Sequence, residues 1–144
     1  MEVTEKKKVA KIRLVTTIRH PGQEIETFEL WVEGSTIQKQ GHTYLMYEEV
    51  QEVGKVRTTV RMGNEEALIL RGGAIKMRLP FGLNEKLPGS YDGGIGSLAV
   101  TVHTHQLQFE QNENHGRFLL EYDLLTGGQL VGKYNLEFIY TEET

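Results

Sequence analysis

The residues best suited to chemistry in this 144-residue chain fall into three sets. The first is the adjacent pair Glu48-Glu49, with Tyr44 and Tyr47 just before it. Neighbouring side chains of an extended segment point to opposite faces, so one carboxylate of the pair turns inward and the other outward. An inward carboxylate needs a partner, because burying an unpaired charge is very costly. With one, it can hold a polar head group or act as a general base. The following turn decides which carboxylate it is. A two-residue turn at Val53-Gly54 brings Glu49 inward opposite Thr58, whereas a three-residue turn brings Glu48 inward and sets Glu49 against Arg57. Tyr44 and Tyr47 divide the same way. A rim position or a structural ion pair is the simpler reading, since paired carboxylates are ordinary on strands.

The second set is basic. Lys55, Arg57, Arg61, Arg71, Lys76 and Arg78 stand against only Glu65 and Glu66, a net charge of +4. Just upstream, from Glu24 to Glu52, seven acids face the single base Lys39, a net of −6. Arg57 and Arg71 are candidates to receive an anionic group. The simpler reading is that the two segments are neighbours whose charges neutralise one another. The third set is His103 and His105, two apart and so on one face of a strand. That spacing can place two imidazoles on one metal ion. No Cys, Asp or Glu close in sequence completes the set; Glu110, His20, His42 and His115 would have to come from elsewhere. The two histidines are therefore expected on a solvated outer face with Ala99 and Thr101, and no metal, haem or other cofactor is implied. Gly89–Gly96 lacks the following Lys-Ser/Thr and the helix of a phosphate-binding loop, and no nucleophile-elbow motif occurs.

The elements that must position these groups all read as strands. Two-residue alternation recurs along the chain, punctuated by Gly, Asn and Pro. Ala10, Ile12, Leu14 and Ile18 share a face, as do Phe28, Leu30 and Val32, which leaves Trp31 on the outer side as a candidate interface residue. Val56, Thr58, Val60 and Met62 form the clearest face. A three-residue loop over Gly63-Asn64-Glu65 pairs Val60 with Leu68 and Thr58 with Leu70. A two-residue loop at Gly72-Gly73 pairs Leu70 with Ile75 and Leu68 with Met77. Residues 81–96, with Pro88 and five glycines, read as a long loop whose Tyr91 and Asp92 cover a barrel mouth. Leu98, Val100 and Val102, then Phe118 to Leu124, then Tyr134 to Tyr140 complete the pattern.

Eight or nine hairpin-linked strands leave two exposed edges unless the sheet closes. The expected fold is therefore all-β, a single antiparallel up-and-down barrel spanning 1–144, with residues 1–8 as a flexible N-terminus. A net charge of −4 offers nucleic acid no attraction. No apolar run approaches the roughly 18 residues that span a bilayer, nor is there a signal-like segment near the N-terminus. With no cysteine there is neither a disulfide framework nor a thiolate, and a cytoplasmic address is expected.

The segment Gly54–Val60 followed by Glu66–Met77, with Tyr44-Leu45-Met46-Tyr47-Glu48-Glu49 before it and Tyr122-Asp123-Leu124 after, resembles the YwiB-like family of bacterial proteins. The resemblance runs from about Val9 to Tyr140. It implies a calycin-like (lipocalin-like) β-barrel and no known activity or site residues. Barrels of that kind commonly bind small apolar molecules, a fold-level analogy only. Three functional classes follow. The leading one is a binding barrel for a small apolar or amphipathic molecule, using Glu48, Glu49, Tyr44, Tyr47, Arg57, Arg71 and Tyr91. The second is an interaction module or homodimer using its outer face. The last is an enzyme with an interior carboxylate.

Overall fold

A computed structural model describes residues 6–143, all of them in strands and tight turns. The strands are β1 (Lys6–Arg19), β2 (Glu26–Lys39), β3 (His42–Gln51), β4 (Gly54–Met62), β5 (Glu66–Gly73), β6 (Lys76–Gly82), β7 (Lys86–Asp92), β8 (Ser97–Asn112), β9 (His115–Thr126) and β10 (Gln129–Glu142). Each pairs antiparallel with the next, and β1 pairs with β10, so the meander closes into a barrel. Closure removes the free edges that the alternation alone would leave.

The barrel has ten strands rather than eight or nine, and the difference lies in residues 81–96. Instead of a loop, this stretch carries the end of β6, with Phe81 buried, and all of β7. Pro88 is accommodated because β6 and β7 pair only from Lys76 to Arg78, which leaves the Pro88 side of β7 without a ladder to β6. Of the expected flexible N-terminus, residues 1–5 lie outside the described residues, while Lys6, Lys7 and Lys8 pair with Gln38, Ile37 and Thr36.

Two hairpin registers differ from the sequence expectation, and they compound. Val60 lies opposite Ile69 and Thr58 opposite Arg71, so the β4–β5 turn is centred on Asn64-Glu65. Arg71 in turn lies opposite Met77, because β5 runs on to Gly73 and the turn moves to Ala74-Ile75. Gly73 takes a positive φ of 101° where its backbone passes Lys55, a conformation and an approach that exclude a side chain. A register change of one residue flips every side chain of a strand. Ala67 and Ile69 are therefore buried, Arg71 points inward, and Leu70 is 38 % exposed.

The two ends of the barrel differ. The end bearing the β2–β3, β4–β5, β6–β7 and β8–β9 turns is filled. Phe81, Phe118, Phe138, Leu45, Leu120 and Val60 are all fully buried there, and each such side chain contributes about 1.5–3 kcal/mol on burial. The buried carboxylate of Glu142 plugs that end. It accepts hydrogen bonds from Thr36 Oγ1 and from Gln111 Nε2 at 3.2 Å. Tyr140 donates to Gln111 Oε1 at 2.9 Å, and its ring lies across Gly116, where no Cβ fits. At the opposite end β2 leaves its neighbour. β1 holds β2 as far as Glu26, but β3 pairs with β2 only from Gly34 to Lys39. Residues 26–33 thus have no ladder on the β3 side, and a lateral gap opens in the wall. Phe28, in phase with Leu30 and Val32 as expected, is consequently 52 % exposed. Leu98, expected in the core with Val100 and Val102, is likewise 52 % exposed, next to the β7–β8 turn.

Candidate ligand site at the open end of the barrel

Ladder register alone lines up four inward residues at the open end. Tyr47 lies opposite Thr58, Thr58 opposite Arg71, and Arg71 opposite Met77, one row across β3, β4, β5 and β6. On the far wall Thr16, Ile18, Tyr122 and Tyr134 complete a cavity of about 200 Å³. It adjoins a second, of about 300 Å³, with which it shares Leu14, Thr16 and Arg71, and which is lined on the gap side by Phe28, Leu30 and Glu49. The interior therefore communicates with the surface between β2 and β3.

The walls are mostly apolar, with a few polar side chains among them. The Tyr47 hydroxyl, Thr58 Oγ1 and Arg71 Nε are buried and have no hydrogen-bond partner among the described residues. Such atoms each cost roughly 1–3 kcal/mol when left unmade. The guanidinium has one ionic neighbour, Glu49, whose Oε1 lies 3.9 Å from Nη2, too far for a hydrogen bond. Burial raises the Tyr47 pKa, opposed by the positive charge of Arg71 and by contacts of the hydroxyl with Thr58 and Arg71 that are looser than a well-formed hydrogen bond. Burial also raises the pKa of Tyr122, with the neighbouring Tyr134 adding to it, and the two rings stack at 5.2 Å. These phenols are neutral donors at physiological pH. The arrangement offers hydroxyl and guanidinium donors around an apolar pocket, which suits a hydrogen-bond acceptor or anion attached to an apolar body.

The sequence candidates separate cleanly. The β3–β4 turn is a two-residue one, Glu52-Val53, with Gln51 opposite Gly54. Glu49 therefore turns inward, as a two-residue turn requires, but opposite Val56, while Tyr47 takes the place opposite Thr58. Tyr47 is buried and Tyr44 points outward. Glu48 and Arg57 lie opposite each other on the outer face, and Glu48 reaches Lys55 at 3.7 Å. Together with Glu49–Arg71, that pair shows the acidic and basic segments adjacent and partly neutralising one another. Tyr91 pairs with Met77 and Leu98 on the rim, within β7 rather than on a flap. Thr58 and Tyr134 were missed as polar site residues. Thr58 sits in an otherwise apolar face, and that interruption was the available signal.

His103 and His105 face outward, as expected, with ring centroids 4.4 Å apart. A carboxylate does join them. Asp123 of β9 lies opposite His103, and its Oδ2 is 2.9 Å from His105 Nε2.

The family model described as "Domain of unknown function (DUF1934)" matches residues 12–138. The chain belongs to this family. A curated relative, the "Uncharacterized beta-barrel protein YwiB" of Bacillus subtilis (strain 168), is 30 % identical over 115 residues, which is 80 % of this chain and 81 % of the relative. The crystal structure of the Bacillus subtilis ywiB protein superposes with a TM-score of 0.86 at 28 % identity, covering 96 % of this chain and 94 % of that one. The family resemblance read from the β3–β6 hairpins is thus correct. The descriptions of the family and of these relatives name no activity, so function rests on the site itself.

Proposed function

We propose that this protein binds a small amphipathic molecule at the open end of its barrel. In this reading the barrel is calycin-like in use: the polar or anionic head of the ligand sits on Arg71, Tyr47 and Thr58. Its apolar body lies between Leu14, Met77 and Tyr122, or extends past Phe28 through the gap. One observation carries the proposal, namely three buried polar atoms without partners facing one cavity. A cavity of about 200 Å³ favours a small occupant or one that projects outward. A cytoplasmic ligand fits the absence of cysteine, and no chemical step is assigned.

Native mass spectrometry of the protein purified from its own host tests this, with Arg71→Met as the paired variant. A retained small molecule that is lost in Arg71→Met is the expected result. A wild-type chain that carries nothing and binds no member of a carboxylate or phosphate ligand panel would end the proposal.

A second reading, self-association through the outer face, is supported by Trp31. The residue is 70 % exposed, with Arg13 lying 5.3 Å over the ring and Glu29 accepting from its indole N–H at 2.8 Å. A single monomeric species at high concentration in sedimentation would exclude it.

A further inference from the structure

We propose that His103, His105 and Asp123 form a binding site for a divalent transition-metal cation on the outer face of the barrel wall. One ligand atom from each of the three side chains lies within 4.8 Å of the other two. Bound to zinc at 2.0–2.1 Å, tetrahedral ligands stand roughly 3.3 Å apart, so side-chain adjustments on the order of 1 Å bring the three onto one ion. Two imidazoles and one carboxylate select a borderline cation such as Zn²⁺ or Co²⁺ over Mg²⁺ or Ca²⁺. Three protein ligands leave a further position for water or an exogenous ligand.

The backbone supports the assignment. The β8–β9 ladder runs Thr104 opposite Tyr122, then Gln106 opposite Glu121, so His105 is the extra residue of a β-bulge. The bulge keeps Thr104 and Leu107 inside while giving the outer face one more side chain, and that side chain is directed at Asp123. Bulges that re-aim a side chain are over-represented beside functional sites. His105 and Asp123 are accessible, with side-chain exposures of 38 % and 18 %. Lys86 and Lys133, the register partners of His103 and Asp123 on β7 and β10, place positive charge on the same face and moderate the affinity.

The test uses the untagged full-length chain, freed of metal by chelation. Zn²⁺ is titrated against a chromophoric chelator, and Co²⁺ binding is followed by its visible ligand-field bands. One ion per chain is expected. His103→Ala and Asp123→Ala should each weaken binding more than about tenfold, since even outer-shell changes cost 10–100-fold, while His42→Ala and His115→Ala leave it unchanged. All four substitutions are on the outer face, and circular dichroism verifies their folding. Selective paramagnetic broadening of the His103 and His105 ring protons by Co²⁺ in the wild-type chain gives a readout independent of the variants. No stoichiometric binding, or binding that survives His103→Ala with His105→Ala, overturns the site.

Discussion

Tyr47 shows how an individual side chain records a choice between stability and binding. Its hydroxyl is buried beside Thr58 and Arg71 with no hydrogen-bond partner among the described residues. Tyr47→Phe removes that unmet group and keeps the ring, so stability should hold or rise by up to about 2 kcal/mol. Urea denaturation reads this directly; a loss beyond about 1 kcal/mol would mean the hydroxyl is bonded after all. Burial also raises the pKa of Tyr47, Tyr122, Tyr134 and Tyr140. In the unfolded chain a phenol ionises near pH 10, while in the folded one it keeps its proton to higher pH. The unfolded state therefore binds fewer protons above about pH 10, and stability falls as pH rises through that window. Phenolate absorbance for these tyrosines should appear together with loss of the β-sheet circular dichroism. Full ionisation of every tyrosine in a chain that remains folded would contradict it.

Among the elements, β8 and β5 carry the lesson. In β8 the inward set changes parity, from Val100, Val102 and Thr104 to Leu107 and Phe109, and the bulge at His105 absorbs the change. Deleting His105 should then leave both inward sets in place with an unbroken ladder. The variant is expected to fold with stability within about 1 kcal/mol of the parent, judged by a dispersed amide spectrum and the urea midpoint. Failure to fold would show that the bulge also sets barrel curvature. Leu107 and Phe109 carry that parity change in the sequence, but the alternation was followed only through Leu98, Val100 and Val102. The phase of β5 was misread, because Leu68-Ile69-Leu70 is apolar on both faces and alternation is silent there. Only the turn centred on Asn64-Glu65 decides that Ile69 and Arg71 look inward, since turn length fixes the register of a hairpin.

At the scale of the whole molecule the barrel is asymmetric, with a plugged end at Glu142 and an open one where β2 departs from β3. Backbone amides that have no ladder partner exchange more readily than paired ones. Native-state hydrogen exchange should therefore be faster at alternate amides of residues 26–33, those facing the gap, than anywhere in Gly34–Lys39. Uniform protection along β2 would mean that the gap is closed in solution.

Period-two alternation, glycine-rich turns and the resemblance of the β3–β6 hairpins were enough to establish an antiparallel barrel of this family. They also placed Val56, Thr58, Val60 and Met62 inside and His103, His105 and Trp31 outside. These are properties of single strands, where side-chain direction follows from position alone. The inward carboxylate was left between Glu48 and Glu49, and the tenth strand was hidden in residues 81–96. The gap beside β2 and the meeting of Asp123 with two histidines had no sequence signal. Each of these depends on which residues stand opposite one another on different strands. That register is set by turn lengths and bulges summed around a closed sheet, so only the closed barrel decides it.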